Sequence, residues 1–302
     1  MPAWNEINLE IDNLSAPNAH DIVRKKYLKA FSAKTGRPVI SYYSGFLWKR
    51  DKEGRFHAEC AISDLDMNGF MAVIHGLPRD KGLDLILHTP GGGIEATRGI
   101  VEYLYKMFGK DLRVIVPHMA MSAGTMIACA ARKILLGKHS CLGPTDPQIR
   151  GFAAMGILAE VDRAMEEIKA EPMKQILWQQ VFAKYPPAFI SDCERSVEGA
   201  RTMVKDWLEN NMLAAAGDPG EAAETVVSKL MDYNGTTEHS HHFLIDKCIE
   251  IGLDVEAIET DQEFQESILS VHHCYMASFA RSNSLKIIDN SNDETWIVDQ
   301  TN

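Results

Sequence analysis

Apolar positions in the first 35 residues keep no sustained period, and the segment predicts only a helical lead-in around residues 22–31. From Pro38 the pattern sharpens. Val39, Ile40, Tyr42 and Tyr43 predict a strand, a charged turn follows over 49–55, and 66–75 carries a helical pattern. Leu83-Asp-Leu-Ile-Leu87 is a short β-type run that ends in His88-Thr-Pro-Gly-Gly-Gly93. Beyond it Ile94, Val101, Leu104, Tyr105 and Phe108 hold a helical stripe that stops at Gly109. Val114-Ile-Val116 predicts the next strand, closed by Pro117; Ser122-Ala-Gly-Thr125 opens a small-residue helix through Ala131, and Ile134-Leu-Leu136 predicts a third buried strand. Strand, helix, strand, helix, strand with short links marks right-handed βαβ crossovers, so the fold class is α/β with a largely parallel sheet. Helical patterns then fill 157–169, 173–183, 192–216, 221–231, 244–251 and 261–282, with no internal repeat. The expected organisation is a lead-in over 1–35, an α/β core over 36–150, a helical extension over 151–286 completing the same domain, and a frayed tail over 287–302.

Composition narrows what such a domain can do. Of 302 residues 45% are hydrophobic and 24% charged, which is globular composition. Asp and Glu number 42 against 31 Lys and Arg, a formal charge of −11, so no basic field exists to attract nucleic acid or anionic lipid. Six scattered cysteines without a C-x-x-C pair suit free thiols in a reducing compartment. The first ten residues are polar and acidic, not a signal peptide, and the uncharged run 114–131 is interrupted by Pro117, His118 and Ser122. A cytoplasmic protein without a membrane anchor is expected.

Two loops carry the candidate chemistry. Thr89-Pro-Gly-Gly-Gly93 sits at the carboxyl end of a strand and directly before a helix, where glycines expose backbone N–H groups beside the positive end of a helix dipole. A nucleotide phosphate is disfavoured because no Gly-Lys-Ser/Thr follows. Gly91-x-Gly93-x-x-Ala96 matches a dinucleotide fingerprint, but the second strand ends Val116-Pro117-His118 without the acid that would hold a ribose. An oxyanion developing on a carbonyl remains, as does a plain strand–helix turn. Met121-Ser-Ala-Gly-Thr125 occupies the corresponding place after the next strand. Ser122 there is either an N-cap or a nucleophile, and the Ala123 N–H could join Gly91 and Gly92 in an oxyanion hole. The two motifs one crossover apart favour the nucleophile.

His88-Thr-Pro-Gly-Gly, Val116-Pro-His-Met-Ala-Met-Ser-Ala-Gly-Thr125 and His139-Ser-Cys-Leu-Gly-Pro-Thr-Asp-Pro-Gln148 together resemble the serine dehydrogenase proteinase family. This is a branch of the Clp-protease/crotonase superfamily related to signal peptide peptidase A. The resemblance runs over about residues 38–275, with a weaker echo between His239 and Val255. It implies a Clp/crotonase-like core of ββα units with a helical C-terminal extension and a serine nucleophile at Ser122. It also implies oxyanion donors from Gly91, Gly92 and Ala123, and a homo-oligomeric habit. On this reading the chain is a serine peptidase acting on peptide or protein substrates without metal or nucleotide cofactor. A crotonase-like acyl-CoA enzyme and an inactive oligomeric scaffold are the rivals.

The proton acceptor is the open position. A serine needs a partner to take its proton. Clp proteases use a downstream histidine, but the matching stretch here reads Pro144-Thr-Asp-Pro147; signal peptide peptidases use a lysine further on, where Lys169 and Lys174 fall. Lys174, flanked by Pro172, Met173 and Ile176, is the expected base, since apolar neighbours can leave a lysine neutral. His118 and His88 at strand ends are alternatives. Asp146 could orient a base or make a turn before Pro147. His239-Ser-His-His242 lacks metal-ligand spacing and reads as a hydrogen-bonded loop.

Overall fold

A computed structural model of the protein describes residues 4–232 and 242–300. Its centre is a seven-stranded sheet: β1 Val39–Ser44, β2 Leu83–His88, β3 Leu112–Val116, β4 Lys133–Leu136, β5 Val255–Ala257, β6 Ser284–Asn290 and β7 Thr295–Asp299. The order across the sheet is β5-β4-β3-β2-β1-β6-β7, with the first five strands parallel and the last two antiparallel. The α/β class and its parallel core are therefore as the strand–helix alternation predicts.

Residues after 287, expected as a frayed tail, instead complete the sheet. β6 pairs with β1 over Ile40↔Asn290 to Ser44↔Lys286 and is buried at every position. The segment is pinned by polar contacts that no apolar period reveals: Arg24, fully buried on helix α2 (Ala19–Thr35), donates to Asp289 Oδ2 at 2.7 Å. The lead-in is likewise more ordered than its pattern suggests. Helix α1 (Trp4–Asp12) buries only Ile7 and Ile11, too narrow a stripe to stand out, against Val23, Cys274 and Ala277. All six cysteines are buried free thiols.

Strict alternation along the strands divides the core in two. Ile40, Tyr42, Leu83, Leu85, Leu87, Val114, Val116, Ile134 and Leu136 face helices α3 (Asp66–Ile74), α4 (Ile94–Phe108) and α5 (Ala123–Cys129). Val39, Tyr43, Ile86, Ile115 and Leu135 face α2 and the last helix, α11 (Gln262–Arg281). Between these lie α6 (Ala154–Ala170), α7 (Gln175–Phe182), α8 (Phe189–Trp207), α9 (Pro219–Leu230) and α10 (Ile245–Glu250). The helix expected over 192–216 ends at Trp207 and passes into a π-helical turn, Leu208–Met212. α6 and α8 pack on each other as a hairpin whose tip carries α7. Among the described residues no helix is long and apolar enough to cross a membrane.

Candidate active site

The carboxyl ends of β2 and β3 meet in one crevice, the place where open α/β sheets bind ligands. Thr89 stitches them together: its N–H donates to Met119 O at 3.0 Å and its carbonyl accepts from Met121 N–H at 3.0 Å. The glycine loop is thereby laid against the approach to Ser122. On its other side Ile62 N–H donates to Gly91 O at 2.8 Å, and Gly93 N–H donates to Ile62 O at 2.8 Å. Glycine is required by both neighbours. A Cβ on Gly91 (φ 95°) would lie 2.6 Å from Met121 O and 2.8 Å from Ser122 Cβ, and one on Gly92 would lie 2.3 Å from Ile62 N and O.

Ser122 has φ 51° and ψ −116°, a backbone conformation that a residue with a side chain adopts only under constraint. The sharp turn projects Ser122 from the strand-to-helix junction, as a nucleophile elbow does. Its side chain makes no capping hydrogen bond to α5, so the N-cap role weighed above does not describe it. Gly124 leaves room for Thr89, whose Cγ2 would be 2.5 Å from a Cβ there, and Thr125 Oγ1 donates to Ala120 O at 2.9 Å, tying the start of α5 to its strand.

Of the expected oxyanion donors, Gly91 N–H is engaged, donating to Thr89 Oγ1 at 3.1 Å. Gly92 N–H and Ala123 N–H donate to no partner among the described residues. Ala123 is buried behind Ser122, its nitrogen 3.0 Å from where a Gly91 Cβ would stand. Gly91, Gly92 and Ser122 line a crevice of about 1520 Å³ whose far wall is α8 through Asp192, Arg195 and Ser196, with Ala61 to Asp64 at one side. The segment at Ala61 to Asp64 has no motif of its own, which is why its part in the wall escapes sequence reasoning.

The structure does not bring the expected bases to this crevice. Lys174 sits in the turn Pro172–Lys174 beyond the far end of α6, a helix whose 17 residues carry the chain about 25 Å outward. Its ammonium lies 3.6 Å from Glu167 and 3.8 Å from Glu171, and its side chain is 39% exposed. His88 is kept away by strand alternation, and His118 by the turn of the chain at Pro117 after β3 ends. With Leu83, Leu85 and Leu87 facing α4, His88 must point to the α11 side, where its ring packs 5.6 Å from both His118 and His272. His118, His139, His272 and His273 line a separate cavity of about 620 Å³ with Trp4 and Trp48. Burial, reinforced by His118, pushes the His88 ring down to about 3; burial also lowers His118, with His139 and His242 adding to it, and holds His272 well below the ordinary value. Asp146 is buried and accepts from Met155 N–H at 3.0 Å, which ties the loop after Pro147 to the start of α6. His239 and His241 lie outside the described residues, and among those described no cluster of His, Cys, Asp or Glu is arranged to hold a metal ion.

Comparison with known proteins gives this geometry a family. Residues 61–277 match the ClpP-like SDH-type serine proteinases. The uncharacterized protein MJ0137 of Methanocaldococcus jannaschii is 30% identical over 237 residues, 78% of this chain and 74% of that protein. The uncharacterized protein MJ1495 of the same organism is 30% identical over 190 residues, 63% of this chain and 57% of that one. The chain belongs to the ClpP-like SDH-type serine proteinase family.

Proposed function

We propose, from that membership, that the protein is a serine peptidase with Ser122 as nucleophile and Gly92 N–H and Ala123 N–H as oxyanion donors, the Gly91 N–H bracing the loop. The observation that carries this reading is the constrained backbone of Ser122 beside two backbone donors without partners among the described residues. Ser122 Oγ attacks the peptide carbonyl while its proton passes to a base. The negative oxygen of the tetrahedral intermediate rests on the two amides, and collapse expels the amine, which takes up the proton. Water then releases the acyl group by the same route reversed. An acyl-CoA enzyme using the same amides on a thioester has no need of a side chain held at positive φ, which disfavours that rival.

For the base we propose Lys174 of a second copy of the chain. No histidine or lysine lines the crevice among the described residues, whereas Lys174 stands beside Met173, Ile176 and Leu177, exposed at 72%, 59% and 58%. A neighbouring subunit covering that tip would bury this apolar surface and bring Lys174 to its own Ser122 crevice. A fluorophosphonate probe is expected to label the wild type and not Ser122→Ala, whose peptide hydrolysis falls at least about a thousandfold. Ser122→Ala and Lys174→Ala, each inactive alone, should recover about a quarter of wild-type activity when mixed and reassembled, because some interfaces then pair an intact serine with an intact lysine. Full activity in Lys174→Ala reassigns the base, and absence of labelling removes the hydrolase reading.

A further inference from the structure

We propose that the buried pair Lys286–Asp66, acting with Tyr42, is a positioning device for the oxyanion loop. The inference rests on the Ser122 chemistry proposed above. Lys286 and Tyr42 lie outside the segment 61–277 that matches the family. Lys286 is 1% exposed and Asp66 fully buried, a placement that apolar side chains of the same size would make at no loss of stability. What the charges do is grip one wall of the crevice. Lys286 Nζ donates to Asp66 Oδ1 at 2.6 Å and to Ala61 O at 2.8 Å. Asp66 Oδ2 accepts from Ser63 N–H at 2.9 Å and from the Tyr42 hydroxyl at 2.9 Å.

Ala61 and Ser63 are thus both held, and the residue between them is Ile62. Its N–H and carbonyl make the two hydrogen bonds to Gly91 O and Gly93 N–H that hold the loop from outside. Gly92 lies so close to Ile62 that neither can shift without the other. The ammonium is committed to Asp66 and Ala61, so Lys286 is not the missing base. It acts through Ile62 on where the Gly92 amide points, and amides pre-aimed at the developing charge are what an oxyanion hole requires.

Tyr42→Phe tests the device with the least disturbance, because the phenyl ring keeps the stacking on Phe70, 6.0 Å away. The expected result is a kcat about 10-fold lower with KM unchanged, and exchange of the Gly93 amide hydrogen about 10-fold faster, at an unaltered melting temperature. A peptide boronate, which forms the tetrahedral adduct on Ser122, should lose affinity in parallel with kcat. The charge-free pair Asp66→Asn with Lys286→Met, made so that neither ion is left alone, should show the same signature about 10-fold more strongly. Wild-type exchange at Gly93 in both variants overturns the proposal, and so does a loss of activity that follows the melting temperature instead of boronate affinity. If the wild type hydrolyses nothing while Gly93 exchange rises in the variants, the positioning device stands and the peptidase reading falls.

Discussion

The crevice at Ser122 and the histidine cluster on the α11 side both take residues from the ends of β2 and β3, yet they are built from opposite materials. The crevice offers backbone: the N–H groups of Gly92 and Ala123, without partners among the described residues, and a serine held at positive φ. The cluster offers imidazole rings, which could take up protons, and uses them as packing. His88, His118 and His272 lie 5.6 to 5.8 Å apart, centre to centre, with Tyr43 stacked on His88 at 5.5 Å. The His88 Nδ1 faces Ser44 O at 3.1 Å and so carries the hydrogen, while Nε2 is a lone pair without a partner among the described residues. Ionisable groups near a strand end do not by themselves make a site; the site proposed here rests on backbone donors without partners among the described residues.

The sharpest way to break this comparison is to fill the crevice with one methyl group. Gly91→Ala places a carbon 2.6 Å from Met121 O and 2.8 Å from Ser122 Cβ at φ 95°. Hydrolysis should fall by about 100- to 1000-fold, the range for loss of an oxyanion donor, with a stability loss of about 1–3 kcal/mol from the backbone strain. Steady-state kinetics and urea unfolding measure the two. An active Gly91→Ala enzyme would mean that the loop is only a turn.

Acid tests the histidine cluster. The native His88 ring stays neutral down to about 3, whereas in the unfolded chain it takes a proton near 6.5. Between those values the unfolded chain holds more protons, so this contribution to stability is complete above 6.5 and is lost progressively as the pH falls toward 3. His118 and His272 are shifted in the same direction and add to the slope. Urea unfolding between about pH 6.5 and 5.5, above the carboxylate range, should show stability falling with acid. His88→Phe, which keeps a ring in the stack, should flatten that fall by about 1 kcal/mol per pH unit. An unchanged slope would mean that the rings reach water and take up protons freely.

How much of this was legible in the sequence depended on whether the signal was local. β1 to β4, α3 to α5 and the two loops follow from periodicity and glycine placement between Val39 and Leu136, where each strand and its helix are neighbours in the chain. β6 was misread because Ser-Leu-Lys-Ile-Ile-Asp-Asn carries Lys286 and Asp289, polar residues buried by partners as distant as Asp66 and Arg24. The same long-range pairing hid the wall at Ala61 to Asp64. Lys174 was reachable as a candidate by spacing, but spacing says nothing of where a 17-residue helix carries its far end. His88 was misplaced for a simpler reason: counting one residue on from Leu87, which packs toward α4, already assigns it to the other face.

The smallest expected effect is the most discriminating for the base. His118 precedes Ser122 by four residues, and proximity in sequence alone makes it a natural proton acceptor. Pro117 and the pairing of Met119 with Cys141 turn the chain between them, leaving His118 among His88, His139 and His272 while Ser122 opens on the opposite side. His118→Gln keeps a polar side chain of similar reach but cannot accept a proton near neutral pH. Peptide hydrolysis in this variant should therefore stay within about twofold of wild type, since the loss of one general base amounts to about 100-fold or more. A 100-fold loss in kcat with unchanged stability would put the histidine cluster and the crevice into one catalytic unit, and the division between the packing histidines and the proposed reactive face would no longer hold.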